Sequence, residues 1–255
     1  MRLTVVGCSG SFPGPESAAS CYLVETEDAA GRTWRVLLDL GSGALGPLQR
    51  YTSLYDIDAV LISHLHPDHC IDVLALYIAR TYDPHRRFPR IPVYVPSGGG
   101  HHLARAYGKG EAGGLTSSFD FVEWTAGGHK VGPLRVTVAR MAHPVETWGM
   151  RVEQGGKVLA YSADTGPCDN LVELARDADL ALFEAAFEEG RDDHGPKDLH
   201  LTAGDAGRAA TAAGAKRLVV THLPPWNDPD VARRDAGAAY HGPVELAAGG
   251  STYEL

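Results

Sequence analysis

The chain has 255 residues, of which 44% are hydrophobic and 22% charged, a composition typical of globular proteins. These proportions exclude a disordered or fibrous chain, and a chain of this length can build a core without disulfide bonds. Acidic residues outnumber basic ones by 32 to 23, so the net charge is −9 and we expect long nucleic acid to bind poorly.

Short β-rich segments alternate with glycine and proline through the first half of the chain and predict strands. The predicted strands begin at Leu3, Cys21, Trp34, Ala59, Val93, Phe119 and Leu134. A helix is predicted over 68–80, where apolar residues recur at helical spacing. From Gly149 the pattern predicts a β-hairpin that turns at Gly155 and Gly156.

The second half alternates strands with helices. Its predicted strands begin at Leu180, Arg217 and Pro243, and its predicted helices span 169–178, 202–213 and 229–240, the first two capped by Asp169 and Thr202. Because the sequence contains no linker or repeat, we predict one domain over residues 1–255, an α/β fold of two sheets packed face to face with helices outside. The segments 98–100 and 188–197 are predicted to be mobile loops.

Residues 63–69 read Ser-His-Leu-His-Pro-Asp-His and lie between a predicted strand and a predicted helix. His64 and His66, two positions apart, point to one side of an extended segment, whereas Asp68 and His69 enter the helix and face elsewhere. This short motif can therefore supply ligands to two neighbouring metal ions. Imidazole and carboxylate without thiolate favour zinc, with manganese or iron as alternatives.

Three further residues that can bind metal lie at the ends of other predicted strands. They are His143, Asp164 and His222. A lone histidine at a strand end is more often structural. Because the same sequence contains the intact histidine motif, and two ions need more ligands than the motif provides, we predict that all three are metal ligands.

The order of these residues resembles that of the metallo-β-lactamase superfamily, whose fold is a four-layered αββα sandwich. The resemblance implies that His64, His66 and His143 hold a first ion, that Asp68, His69 and His222 hold a second, and that Asp164 bridges the two. Asp39 matches a family carboxylate that holds the ligand loop by hydrogen bonds. An aspartate rather than a cysteine at the bridging position argues against the true β-lactamases.

Glu184 and His200, with the sequences around them, resemble elements of the RNase Z-like phosphodiesterases within this superfamily. In that group the histidine contacts the scissile phosphate and the glutamate orients the histidine, so Glu184 and His200 are candidate catalytic residues. Asp68 is a third, because it could orient the attacking hydroxide as well as bind metal. For His200 the alternative is a structural role at a helix start, beside Thr202. Glu184 lies in an apolar strand and needs a partner, because burying an unpaired carboxylate is costly.

The tRNA-processing RNase Z enzymes carry a long arm between the positions of His143 and Asp164, where this chain has residues 144–163. Loop segments such as Gly-Cys-Ser-Gly-Ser from Gly7 most resemble the actinobacterial cyclic-AMP phosphodiesterases of this fold. The resemblance implies hydrolysis of a small cyclic nucleotide. The alternatives are an RNase Z-like ribonuclease, another ester, lactone or thioester hydrolase, and a non-hydrolytic metal-binding or redox protein.

Two features of the sequence bear on localisation. The four cysteines show no CxxC pairing and no framework spacing, which excludes a zinc ribbon and a secreted disulfide scaffold. No segment reaches the about 18 apolar residues of a membrane span, and the first residues lack a signal-peptide core. We therefore expect a cytoplasmic protein with no membrane partner; whether it forms a homodimer stays open.

Overall fold

The computed structural model describes residues 1–110, 114–192, 194–196 and 198–255. The first seven strands in the chain are β1 (Arg2–Ser9), β2 (Ala18–Ala19), β3 (Cys21–Glu27), β4 (Thr33–Leu38), β5 (Ala59–Leu61), β6 (Ile91–Val95) and β7 (Phe119–Glu123). The next seven are β8 (Gly127–Val131), β9 (Leu134–Arg140), β10 (Trp148–Gln154), β11 (Lys157–Tyr161), β12 (Leu180–Glu184), β13 (Leu218–Thr221) and β14 (Val244–Leu246). The last strand is β15 (Thr252–Glu254).

The helices alternate with these strands and fall into two groups along the chain. The first group is α1 (Leu45–Leu48), α2 (Pro67–Cys70), α3 (Val73–Thr81) and α4 (Gly99–Ala106). The second group is α5 (Asp169–Leu174), α6 (Ala203–Ala212) and α7 (Pro229–Ala239). In the described part of the chain, no helix is long and apolar enough to cross a bilayer.

The strands of the described residues form two mixed sheets. In the first sheet the order is β15-β1-β3-β4-β5-β6-β7, with β2 beside β1, and in the second it is β14-β13-β12-β11-β10-β9-β8. Strands β4 to β7 run parallel to one another in the first sheet, as do β11 to β14 in the second. The carboxyl ends of parallel strands meet at one edge of each sheet, where sites are usually built.

Apolar side chains fill three layers, which define the αββα arrangement. The central layer combines residues of both sheets, such as Val5 and Leu38 from the first with Leu159 and Leu182 from the second. One outer layer packs the first sheet against α1, α3 and α4, and the other packs the second sheet against α5, α6 and α7. The predicted α/β fold of two sheets with helices outside is confirmed.

The predicted helix over 68–80 is interrupted, because α2 ends at Cys70 and α3 begins at Val73. The backbone N–H of Asp72 donates to the carbonyl of Leu40 instead of a carbonyl one turn earlier. This long-range hydrogen bond breaks the helix and ties the metal-binding motif to the segment after β4. A local periodicity carries no signal for such a contact.

The predicted cap of the helix that begins at 169 is wrong, whereas the cap at Thr202 is correct. Cys168 occupies the cap position of α5, with extended φ and ψ of −155° and 153°, so Asp169 is the first helical residue. The helix ends at Leu174, short of the predicted 178, and Asp177 has a positive φ of 54°. Thr202 caps α6 with a capping box that includes Asp205.

The two predicted mobile loops have different outcomes. Gly99 and Gly100 form the first turn of α4, so the segment 98–100 is largely helical rather than a loop. A Cβ on Gly99 would lie 2.6 Å from Cβ of Val95, which explains why glycine permits this close packing. In the segment 188–197, residues 193 and 197 lie outside the described residues.

The predicted hairpin is formed by β10 and β11, and its turn demands glycine. Gly155 and Gly156 have φ values of 60° and 77°, in the left-handed region that β-branched residues avoid. Gly155→Val should therefore lower the free energy of unfolding by about 1–2 kcal/mol, whereas Gly155→Asn should cost less, because asparagine tolerates this region. Urea denaturation of the two variants and the wild type measures the difference. Equal losses would contradict this account of the turn.

Candidate active site

The first group of candidate ligands contains three imidazoles from both sheets. His64 and His66 follow β5 of the first sheet, and His143 follows β9 of the second. Nε2 of His64 lies 3.0 Å from Nδ1 of His66, which lies 3.4 Å from Nε2 of His143. Three ring nitrogens thus converge on one point, as the resemblance implies for the first ion.

The second group contains one carboxylate and two imidazoles, all of them buried. Asp68 and His69 lie in α2, after β5, and His222 follows β13 of the second sheet. Nε2 of His222 lies 3.1 Å from Nε2 of His69 and 3.2 Å from Oδ2 of Asp68. Each group therefore draws its residues from both sheets.

Asp164 follows β11, is 2% exposed and lies between the two groups. Its Oδ2 is 3.6 Å from Nε2 of His64 in the first group. Its Oδ1 is 3.2 Å from Nε2 of His69 and 3.5 Å from Nε2 of His222 in the second. Among the described residues this Oδ1 has no hydrogen-bond partner, which is costly for a buried carboxylate unless a cation binds it. Asp164 thus has the position of a bridging ligand.

Asp39 follows β4, is fully buried and fixes the ligand loop through four hydrogen bonds. Its Oδ1 accepts from the backbone N–H of Ser63 at 2.7 Å. Its Oδ2 accepts from the Ser63 and Tyr161 hydroxyls at 2.8 and 2.7 Å, and from Nδ1 of His69 at 2.7 Å. The Ser63 hydroxyl also lies 3.0 Å from Nδ1 of His64. Asp39 therefore orients one imidazole of each group, with two partners, Ser63 and Tyr161, that the sequence analysis did not single out.

The charges of the two groups suit metal binding. Burial lowers the pKa of His64, His66 and His143, which favours their neutral form. For Asp68 and Asp164, burial alone would raise the pKa, but the surrounding imidazoles outweigh burial and lower it. Neutral imidazoles and ionised carboxylates are the forms that bind metal ions.

His69 differs from the other imidazoles because carboxylates surround it. Burial alone would lower its pKa, but Asp164 and Asp39 outweigh burial and raise it. The same negative surroundings favour a cation beside Nε2, which lies 3.5 Å from Oδ2 of Asp68. Together with the unpartnered Oδ1 of Asp164, this charge balance means that the donor set fits a divalent metal ion.

His200 and Glu184 form a hydrogen-bonded pair beside the ligand groups. Nδ1 of His200 donates to Oε1 of Glu184 at 2.8 Å, and the His200 ring lies 5.5 Å from that of His143. Glu184 is buried and also accepts from the backbone N–H groups of Thr165 and Ala186, each at 2.9 Å. Burial alone would lower the pKa of His200, but the Glu184 carboxylate outweighs burial and raises it to about 9. Sequence reasoning thus named two residues that the fold brings together.

The position of His200 is also compatible with metal binding. His200, Asp164 and His222 have potential ligand atoms that lie within 4.8 Å of one another. Nδ1 of His200 is 4.0 Å from Oδ2 of Asp164, farther than from Glu184. If His200 contacts the substrate, removal of its ring should leave the metal content unchanged. If His200 binds a metal, removal of its ring should lower the metal content.

Two glycines allow the backbone to approach the ligands closely. A Cβ on Gly10 would overlap the carbonyl oxygen of His222 and lie 2.8 Å from the carbonyl carbon. A Cβ on Gly41 would overlap the carbonyl of Asp68. Neither glycine was singled out individually, although both belong to segments that contributed to the family resemblance, Gly10 to that from Gly7 and Gly41 to that from Leu38.

Comparisons with known proteins show the family to which this chain belongs. The β-lactamase superfamily domain matches residues 34–223. An uncharacterized protein of Mycobacterium leprae is 40% identical and covers 100% of this chain and 89% of that protein. The probable metallo-hydrolase YhfI of Bacillus subtilis is 31% identical over 100% of both chains. The YhfI crystal structure has a TM-score of 0.86 at 29% identity, covering 100% of this chain and 98% of that chain. A ribonuclease Z of Myxococcus xanthus is 28% identical, covering 100% of this chain and 98% of that protein.

The chain therefore belongs to the β-lactamase superfamily, in its metallo-β-lactamase fold. It is a metal-dependent hydrolase, and its similarity to ribonuclease Z is consistent with the RNase Z-like branch. The predicted superfamily and enzyme class are confirmed.

The contact between Gly10 and His222 generates a prediction about metal content. Gly10→Ala should lower the amount of metal bound by the group that contains His222, because the added methyl group must displace the His222 backbone. Elemental analysis of protein purified without chelator measures this loss.

Gly237→Ala is the matched control, because Gly237 is exposed in α7 and no described atom lies within 4 Å of the added Cβ. This variant should keep the wild-type metal content and gain about 0.5–1 kcal/mol of stability. Wild-type metal content in Gly10→Ala would disprove the role assigned to the glycine.

Proposed function

We propose that the chain is a dinuclear zinc phosphodiesterase that hydrolyses a small cyclic nucleotide, 3′,5′-cyclic AMP, to 5′-AMP. Manganese and iron are the alternative ions for this donor set. In the proposal, His64, His66 and His143 hold the first ion, Asp68, His69 and His222 hold the second, and Asp164 bridges them.

One observation carries the proposal: a carboxylate lies between two ligand groups, and an imidazole paired with a buried glutamate lies beside them. Two ions about 3.5–4 Å apart are a common arrangement in enzymes that cleave phosphate esters. The two oxygens of Asp164 face different groups, as a bridge between such ions requires. His200, whose pKa is raised to about 9, provides positive charge for a phosphate.

The short segment between His143 and Asp164 supports a small substrate. It forms β10, β11 and a two-residue turn, where the resemblance places a tRNA-binding arm in the tRNA-processing enzymes. The alignment with the ribonuclease Z of Myxococcus xanthus extends over 307 residues, so that relative contains segments that this chain lacks. The alignment with YhfI extends over 256 residues. The net charge of −9 also disfavours long RNA.

In the proposed mechanism the ions and the side chains have different roles. When bound, the two ions would supply Lewis acidity toward the phosphate and lower the pKa of a water molecule. Asp68 would accept a hydrogen bond from the attacking water and so orient it toward phosphorus. Asp39 would keep the His64 and His69 rings in position through the hydrogen bonds described above.

His200 would act as the general acid. Because Nδ1 donates to Glu184, Nε2 is the nitrogen left to face the substrate. As water attacks phosphorus and passes one proton to Asp68, the bond to the ribose O3′ breaks and Nε2 would donate its proton to O3′. Glu184 would stabilise the charged ring before the transfer and hold its orientation, since its other contacts fix the carboxylate.

Other reactions fit the same residues less well. A lactone or thioester could bind the ions, but similarity to a ribonuclease favours a phosphodiester bond. An RNA 3′ end is the phosphodiester alternative, and the short hairpin between His143 and Asp164 disfavours it. A non-hydrolytic metal-binding or redox protein is the alternative from another class.

A substrate panel tests the proposed function. Cyclic mononucleotides, cyclic dinucleotides and precursor tRNA are assayed with zinc-loaded and manganese-loaded protein. We expect the highest kcat/KM for 3′,5′-cyclic AMP, because the site is suited to a small phosphodiester. Faster processing of precursor tRNA would overturn the assignment, and so would the absence of hydrolysis of every cyclic nucleotide.

Two substitutions separate catalyst from ligand. His200→Ala should keep the metal content and lower kcat by about 10²- to 10⁴-fold, the usual contribution of a positioned acid or charge stabiliser. Asp164→Ala should release metal, because it removes a carboxylate that faces both groups. Metal content and kcat are measured on the same preparations.

Glu184→Gln should give a result between those of the wild type and His200→Ala. It should keep the metal and lose less rate than His200→Ala, because the amide oxygen can still accept a hydrogen bond from Nδ1. Loss of metal from His200→Ala together with full metal content in Asp164→Ala would show that the roles are assigned wrongly.

A further inference from the structure

Phe12 and Trp226 form an exposed aromatic pair on the surface. Their ring centroids lie 5.0 Å apart with an angle of 44° between the planes. Trp226 is 61% exposed and Phe12 is 41% exposed. The pair leaves a large apolar area in contact with water, which a flat ligand could cover.

Both rings belong to segments anchored beside the candidate ligand His222. Trp226 lies four residues after His222 in the chain. Phe12 lies two residues after Gly10, which contacts the His222 carbonyl and donates its N–H to the carbonyl of Leu223 at 3.1 Å. The aromatic pair is therefore held close to the ligand groups by the backbone itself.

The turn that carries Trp226 is also tied to the candidate acid. The N–H of Asn227 donates to the carbonyl of Pro224 at 2.9 Å, which closes the turn. The side-chain amide of Asn227 donates to the carbonyl of Ala186 at 3.0 Å. The N–H of Ala186 donates to Glu184, the partner of His200. This series of hydrogen bonds fixes the turn relative to the site.

A cleft of about 540 Å³ is lined by both Trp226 and the candidate acid. His200, Phe187, Ser11 and Trp226 are among its lining residues. The volume falls within the about 300–1,000 Å³ that is typical of small-molecule sites. One molecule can therefore contact both Trp226 and His200.

We propose that Trp226, supported by Phe12, is the specificity-determining platform on which the base of the nucleotide substrate stacks. This inference rests on the proposed function, which places the phosphate at His200 and the metal ligands. A mononucleotide has a charged phosphate at one end and a flat ring at the other, so one molecule can present the phosphate to His200 and the base to Trp226. Stacking on tryptophan tolerates different bases, because every base has a π face. Trp226 thus selects nucleotides over phosphodiesters without a base.

The test compares Trp226→Ala, Trp226→Phe and the wild type. Trp226→Ala should raise KM for 3′,5′-cyclic AMP by about 5- to 100-fold, the usual loss when a stacking partner is removed, and leave kcat within about 2-fold. Trp226→Phe should restore most of the affinity, since phenylalanine also presents an aromatic face. Tyr82→Ala is the matched control, because Tyr82 is an exposed aromatic residue on another element, after α3, and its removal should leave KM unchanged.

Product binding provides a readout that is independent of turnover. Titration with 5′-AMP should quench the tryptophan fluorescence of the wild type, and this signal should disappear in Trp226→Phe. The inhibition constant of 5′-AMP should rise in Trp226→Ala, whereas that of ribose 5-phosphate, which lacks a base, should stay the same. An equal rise for both inhibitors, or a change in oligomeric state with unchanged KM, would overturn the proposal.

Failure of this inference can be distinguished from failure of the proposed function. If the wild type hydrolyses no cyclic nucleotide and 5′-AMP does not bind, the proposed function fails. If the wild type is active and Trp226→Ala has the wild-type KM and inhibition constants, only the stacking role fails.

Discussion

The rest of the structure depends on the burial of three carboxylates together with the imidazoles around them. Asp39, Asp68 and Asp164 lie at the edge where the ligand segments of both sheets meet, and none is more than 7% exposed. Burying a charge is costly unless it is paired, and Oδ1 of Asp164 lacks a hydrogen-bond partner among the described residues. Imidazoles compensate part of this charge, and a bound divalent cation would compensate the rest. The architecture is best understood as the means of holding these groups together.

The backbone achieves this through strand ends and close approaches. Parallel strands in both sheets deliver their following residues to one edge, so that β5, β11 and β13 bring the ligand segments together. Gly10 and Gly41 then let neighbouring segments touch the backbones of the ligands. Asp39 and His222 adopt positive φ values of 59° and 57°, which non-glycine residues rarely do. Such conformations persist only where surrounding contacts enforce them.

Sequence reasoning succeeded where the information was local. The histidine motif, the strand-end residues and the Thr202 cap are readable from residue type and spacing. The pairing of Glu184 with His200 was anticipated from the cost of burying a carboxylate, together with the family resemblance.

The features that the sequence did not reveal depend on contacts between distant segments. The break after α2 comes from a hydrogen bond to Leu40, and the contact of Tyr161 with Asp39 joins two sheets. β15 pairs with β1 although the two lie at opposite ends of the chain. β8 contains two glycines and little apolar pattern, so propensity gave no signal for it.

The division of each ligand group between the two sheets has a consequence for folding. His64 and His66 come from the first sheet and His143 from the second, and Asp68 and His69 are likewise joined by His222. Any ion bound by either group would cross-link the two halves of the sandwich. Its binding free energy would then add to the free energy that keeps the sheets packed, since the unfolded chain holds no such site. The metal would act as a structural clamp as well as a chemical reagent, and the cell's supply of the ion would influence the lifetime of the folded protein.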